Sequence, residues 1–183
     1  MIGLFGGAFD PPHKGHVALV ETAVKTLGLD RVLILLSADP GHKQVETPAI
    51  ERLELARAAF PGRDVILDEH GRTVDLLRAH PSWKDTVFLI GADQFCDFLS
   101  WKEPDEVLKL TRIGVATRPG YPQEQLDRVV AKLSSPKRVL FFELAPVPVA
   151  SSDLRHHLDR EAIPPAVWEI IERDSLYGYS GST

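Results

Sequence analysis

The sequence predicts an α/β fold in which helices cover both faces of a parallel β-sheet, followed by a C-terminal helical segment. The first observation is a set of short apolar runs of strand length, at residues 1–5, 31–36, 86–90 and 113–117. Uninterrupted apolar runs are typical of parallel strands that are buried on both faces. The second observation is the helical spacing between these runs, so strands and helices alternate along the chain.

The first helix follows the first strand. Its apolar positions are Val17, Val20, Val24 and Leu27, and Gly28 is placed to cap its C-terminus. A second helix is expected from Thr47-Pro48, as cap and first helical residue, to about Phe60. The remaining expected elements are strands at 65–67, 86–90, 113–117 and 138–142, and helices at 73–79, at 123–133 and from Pro164-Pro165 onward.

Length and composition limit the class of protein. The chain has 183 residues, 44% hydrophobic residues and a formal net charge of −5, which suits one α/β domain over residues 1–183 without general affinity for nucleic acid. No apolar run is long enough for a membrane span and no signal peptide is visible, so we expect a cytoplasmic protein that does not bind membranes. The single Cys96 agrees with a reducing compartment.

The most informative stretch is Gly6-Gly7-Ala8-Phe9-Asp10-Pro11-Pro12-His13-Lys14-Gly15-His16. It joins the first strand to the first helix, whose first turn is predicted at Gly15-His16. Free backbone N–H groups and the positive end of the helix dipole favour an anion there. His13-x-x-His16 alone could also be a surface pair or half of a zinc site, but a lone cysteine offers no further Cys-pair motif. The chain has no Walker sequence and no dinucleotide fingerprint, so we interpret the stretch as a phosphate-binding turn.

This stretch resembles the signature of the H-x-G-H nucleotidyltransferases, and its wording is closest to bacterial nicotinate mononucleotide adenylyltransferases. The resemblance implies a Rossmann-like, doubly wound domain that transfers AMP from ATP to the phosphate of a pyridine mononucleotide. It covers nearly the whole chain. The family also has a Lys in the loop after the second strand, matching Lys43, and an Arg on the following helix, matching Arg52.

Four further places in the sequence can be interpreted both from their local residue pattern and from the family resemblance. Asp93 follows a buried strand, where a carboxylate can accept ribose hydroxyls, or it caps the next helix. Ser151-Ser152 begin a helix, and Arg155 adds a charge one turn in, as in a phosphate cradle. Thr73 is either a helix cap or a substrate contact, and Trp101 is either a packing residue or a platform for the pyridine ring.

The resemblance then implies a set of site residues. Those expected to act in catalysis are His13, His16, Lys43 and Arg155. Those expected to bind ATP are Gly6, Gly7, Phe9, His13, His16, Gly91, Asp93, Arg118, Ser151, Ser152 and Arg155. Those expected to bind the acceptor nucleotide are Ala8, Phe9, Lys43, Thr73, Trp101, Lys102 and Arg118. Mg²⁺ is expected as cofactor, bound mainly through the ATP phosphates, with no metal site made by the protein itself.

Three segments depart from the family pattern. Asp39-Pro40-Gly41 replaces the first Pro of the family's Pro-Pro-His-Lys in the loop after the second strand. Gly71-Arg72 stands where the family commonly has Ser-Tyr, and Asp153 replaces a Thr in the second phosphate-binding segment. The sequence therefore leaves other functions open: an adenylyltransferase for nicotinamide mononucleotide or another acceptor such as phosphopantetheine, or a non-catalytic nucleotide sensor. It also leaves the oligomeric state open.

Overall fold

Six strands form one sheet in the order β3-β2-β1-β4-β5-β6, and every neighbouring pair is parallel. The computed structural model describes residues 1–41 and 45–181. The strands are β1 (Ile2–Gly7), β2 (Arg31–Ser37), β3 (Asp64–Asp68), β4 (Thr86–Gly91), β5 (Arg112–Thr117) and β6 (Val139–Glu143). The strand order and direction confirm the predicted Rossmann-like sheet.

Helices lie on both faces of this sheet, as predicted. They are α1 (Lys14–Leu27), α2 (Ala49–Ala59), α3 (Thr73–Ala79), α4 (Ala92–Cys96), α5 (Pro104–Leu110), α6 (Gln123–Val130), α7 (Ser151–His156) and α8 (Pro165–Asp174). Alternate strand residues enter opposite cores: Phe5 packs with α1, α2 and α8, whereas Leu4 packs with α3, α5 and α6. Side chains of a strand alternate between the two faces of the sheet, so a strand that is covered on both faces has apolar residues at consecutive positions. Within the described residues, no helix is both long enough and apolar enough to cross a membrane.

Most predicted elements are confirmed, but several boundaries move. Gly28 ends α1 in the left-handed conformation with φ 62°, and α3 has the predicted bounds. The expected start of α2 is wrong by one residue, because Pro48 is extended at the cap position and Thr47 makes no side-chain cap. Thr47 is instead buried, and its carbonyl oxygen accepts a hydrogen bond from Arg52 Nε at 2.9 Å. The first hydrogen bond of the helix is accepted by the Pro48 carbonyl oxygen, from the Arg52 backbone N–H at 3.0 Å, and this places Pro48 at the cap.

The strand order creates one crevice suited to a ligand. β1 has β2 on one side and β4 on the other, so the connections leave it in opposite directions. At such a switch point the loops after neighbouring strands separate and leave space at the carboxyl edge of the sheet. The Gly6-to-His16 stretch leaves β1 at this point.

Arg52 joins the loops around this crevice. Its side chain is 1% exposed, and its guanidinium donates to four carbonyl oxygens at 2.8–2.9 Å: those of Thr47, Ala8, Ser37 and Ala38. These carbonyls belong to the turn after β1, the end of β2 and the start of α2. One buried cation therefore satisfies backbone groups of three separate segments, which would otherwise be unpaired.

We predict that Arg52→Lys lowers the free energy of unfolding by about 2–4 kcal/mol, since an ammonium cannot reach four carbonyls in the same plane and leaves buried acceptors unpaired. Urea denaturation measures this change. Arg57→Lys on the exposed side of α2 is the matched control and should stay within about 0.5 kcal/mol of wild type. Equal stability of the two variants would contradict the role of Arg52 in joining these three segments.

Candidate active site

The turn after β1 is shaped by glycine and an inward-facing aromatic ring. A side chain at Gly7 would lie 2.9 Å from the ring of Phe9, so only glycine fits there without displacement. Phe9 has φ 49° and is 1% exposed, with its ring against Phe5 and Phe60. The expectation that Phe9 binds both nucleotides is thus limited to its backbone, because its side chain is part of the core.

His13 and His16 cap α1 reciprocally. The helix begins at Lys14, and His13 occupies the cap position. The backbone N–H of His16 donates to His13 Nδ1 at 3.3 Å, and the backbone N–H of His13 donates to His16 Nδ1 at 3.2 Å. The two rings stack, with centroids 3.6 Å apart. A side chain on Gly15 would lie 3.0 Å from the His13 ring, so the glycine between the histidines leaves room for this arrangement.

This geometry fixes the protonation pattern of the pair. A ring nitrogen that accepts an N–H bond carries no proton, so in each neutral ring Nε2 is the donor. Burial lowers the pKa of His13 from 6.5 to about 4, which keeps its imidazole neutral at physiological pH. The tautomers follow from the hydrogen bonds and give two N–H donors at the start of a helix, where anions are favoured.

Helix α7 is attached to the same turn. Ser151 Oγ donates to the carbonyl oxygen of Pro11 at 2.8 Å, and Arg155 Nη1 donates to that of Asp10 at 2.9 Å. Arg155 Nε also lies 3.8 Å from a carboxylate oxygen of Glu46. The structure therefore brings Ser151 and Arg155 to the histidine turn, as expected, while Ser152 is exposed on α7.

Asp10 lies within the turn and connects it to two distant segments of the chain. It is 1% exposed, and its carboxylate accepts from the Tyr177 hydroxyl and from the backbone N–H of Glu46, both at 2.7 Å. Burial is the main cause that raises the pKa of Tyr177 well above its ordinary value. Sequence reasoning missed this C-terminal tyrosine as a support of the turn.

A cavity of about 740 Å³ opens beside the turn. Among its lining residues are six of those predicted for the site: Gly6, Gly7, Ala8, Thr73, Trp101 and Lys102. The Trp101 ring is fixed by Phe98 and by an edge-on contact with Phe88. Lys102 Nζ lies 2.9 and 3.0 Å from the two carboxylate oxygens of Asp75. The cavity is large enough for a mononucleotide and presents both an aromatic face and polar groups.

A smaller cavity of about 320 Å³ lies after β4 and β5. It is lined by Asp93 and Arg118, whose charged groups are 3.8 Å apart, and by Tyr121, whose hydroxyl donates to Asp93 at 3.0 Å. Arg118, expected to contact both nucleotides, is thus placed with Asp93 and does not line the larger cavity.

Two alternative cap assignments are wrong. Asp93 does not cap α4, because Gly91 occupies that position, and Thr73 is the first residue of α3 after Arg72. Each of the two residues lines one of the cavities. The remaining expected residue, Lys43, lies outside the described residues.

Together, a doubly wound parallel sheet and a helix-capping histidine pair at its switch point define a nucleotide-binding α/β protein of the nucleotidyltransferase type. A family model described as cytidylyltransferase-like matches residues 4–158. The chain belongs to this family.

Several proteins with a more specific name match this chain over nearly its full length. A Thermus thermophilus protein named "Probable nicotinate-nucleotide adenylyltransferase" is 36% identical, covering 96% of this chain and 98% of its own. One of the same name from Rubrobacter xylanophilus is 35% identical, with 96% and 91% covered. A solved structure of Plasmodium falciparum nicotinic acid mononucleotide adenylyltransferase complexed with NaAD shares the fold, with 18% identity, 98% of both chains covered and a TM-score of 0.73.

The low pKa of His13 predicts a pH dependence of stability. The unfolded chain takes up a proton here below pH 6.5, whereas the folded protein does so only near pH 4, so stability is full above pH 6.5 and is lost as the pH falls toward 4. Between about pH 7 and about pH 5 this one group should lower the free energy of unfolding by on the order of 2 kcal/mol.

Urea denaturation at both pH values checks this for wild type, His13→Gln and the exposed control His157→Gln. The first variant should lose this part of the pH dependence and the control should keep it. An unchanged pH dependence in His13→Gln would show that His13 is not a buried neutral group.

Proposed function

We propose that this protein transfers the adenylyl group of ATP to the phosphate of nicotinate mononucleotide, forming nicotinate adenine dinucleotide and pyrophosphate in NAD biosynthesis. The observation that carries the proposal is the stacked His13–His16 pair at the start of α1, in the same turn whose Gly6, Gly7 and Ala8 line a cavity of mononucleotide size. The relatives named for this activity, matched over nearly their full length, support it.

The reaction needs positioning more than a reactive side chain. A phosphate monoester has its second pKa at about 6, so the attacking oxygen is largely ionised at neutral pH and needs no general base. It forms a bond to the α-phosphorus of ATP while the bond to the bridging oxygen breaks and pyrophosphate leaves. Orientation of two bound reactants can lower a barrier by roughly 7–11 kcal/mol.

The histidine pair supplies donors for the charge that develops on the phosphates. The two Nε2–H groups are held in place before the reaction, since each ring is fixed through its Nδ1. Donors that are already oriented are more effective than water, which must reorganise. Arg155 and Ser151 are proposed to complete the ATP side through α7, with Lys43 added from the loop after β2.

In this proposal each cavity holds a different nucleotide. ATP is placed from the histidine turn toward Asp93 and Arg118, so that its ribose meets the carboxylate. The acceptor occupies the larger cavity, with its pyridine ring against Trp101 and its phosphate toward the histidine turn. The proposal includes a cytoplasmic location, where both substrates are available.

Mg²⁺ is proposed to enter with ATP. Within the described residues no group of three or more His, Cys, Asp or Glu side chains is arranged to hold a metal ion. Asp10, the carboxylate of the turn, is already bonded to Tyr177 and to the Glu46 backbone. In this proposal the cation is carried mainly by phosphate oxygens, where it would neutralise charge on the β and γ groups.

A pyrophosphate-release assay with ATP, Mg²⁺ and one acceptor at a time tests the proposal. We expect kcat/KM to be highest for nicotinate mononucleotide, lower for nicotinamide mononucleotide and negligible for phosphopantetheine. A preference for nicotinamide mononucleotide or for phosphopantetheine would contradict the proposed acceptor. ATP binding without pyrophosphate release for any acceptor would instead favour a nucleotide sensor.

A further inference from the structure

The acceptor cavity is lined by two basic side chains in different electrostatic situations. Lys102 is neutralised by Asp75, which it contacts through both carboxylate oxygens. Arg72 lines the same cavity and is exposed, and its side chain forms no ion pair or hydrogen bond with any residue in the described parts of the chain. Among the described residues that line the cavity, Arg72 is therefore a basic residue without an acidic partner.

Acidic groups of the cavity do not change this conclusion. Asp68 and Asp97 also line it. Asp68 accepts from the backbone N–H of His70 at 2.9 Å and contacts its ring at 3.1 Å, so it is engaged by a neighbour other than Arg72. Neither carboxylate forms an ion pair with Arg72. An anionic group on a bound ligand is the partner that this guanidinium lacks.

Arg72 also lies next to the residues proposed to surround the pyridine ring. It immediately precedes Thr73, the first residue of α3, and shares the cavity with Trp101. A guanidinium presents a planar set of N–H donors that pairs with a carboxylate through two parallel bonds. A carboxamide offers a single oxygen acceptor, and its NH₂ group faces these donors without pairing.

We propose that Arg72 determines acceptor specificity by pairing with the carboxylate on the pyridine ring, so that a nicotinate nucleotide is preferred over its amide. The inference rests on the proposed function and adds a residue to it. Arg72 discriminates between the acceptors and takes no part in bond formation.

The test compares kcat/KM for nicotinate and nicotinamide mononucleotides in four proteins: wild type, Arg72→Gln, Arg72→Lys and Arg78→Gln. Arg78 is the matched control, since it lies on helix α3, which Arg72 immediately precedes, does not line this cavity and pairs with Glu103. Arg72→Gln should lower the nicotinate-to-nicotinamide ratio about tenfold, the scale of one hydrogen-bonded charge pair. Arg72→Lys should recover part of the ratio because it keeps the charge, and Arg78→Gln should keep the wild-type ratio.

Equal losses on both acceptors in Arg72→Gln would overturn the inference, because they would place Arg72 on the phosphate that both nucleotides share. An unchanged ratio would overturn it as well. Calorimetric binding of each mononucleotide to the same four proteins measures the preference without turnover. If wild type made no dinucleotide from either acceptor, the proposed function would fail, whereas the binding ratio would still decide for or against Arg72.

Discussion

The reciprocal cap between His13 and His16 is the constraint on which the site depends. Two backbone-to-ring hydrogen bonds start helix α1, stack the imidazoles and make Nε2 the donor of each ring. A helix start normally leaves backbone N–H groups for water or a polar side chain. In the proposed function the capping side chains are also the groups that meet the substrate, so folding of the helix and orientation of the donors are one event.

Contacts with residues distant in the chain hold the turn that carries His13 and His16 in place in the crevice. Arg52 bonds carbonyls of three segments, Asp10 receives Tyr177 from the C-terminal region, and α7 donates to the turn through Ser151 and Arg155. Most of these groups are half-buried or buried, where electrostatic interactions are stronger than in water. Preorganisation of the two histidines is therefore a property of the whole carboxyl edge of the sheet.

The sequence predicted the features that depend on residues close together in the chain. Strands β2, β4 and β5 follow from uninterrupted apolar runs, and Gly28 identifies the end of α1. The histidine turn and the cavity residues Thr73 and Trp101 were found because short motifs carry them. What could not be predicted needs partners distant in the chain: the four bonds of Arg52, the contact of Tyr177 with Asp10, and the grouping of Arg118 with Asp93. Phe9 shows a limit of motif-based prediction, since its motif position suggested contact with substrate while its φ and burial direct the ring into the core and leave only its backbone for that contact.

The central claim is that His16 acts through its Nε2–H while its Nδ1 serves the helix cap, and two substitutions separate these tasks. Asn at position 16 can place its oxygen near the former Nδ1 and keep the cap, whereas Gln reaches toward the former Nε2. Measured by pyrophosphate release, His16→Asn should keep wild-type stability yet lose about a hundredfold or more in kcat, the scale of one transition-state donor. His16→Gln should be less stable but more active than His16→Asn. Wild-type turnover by a stable His16→Asn protein would contradict the account.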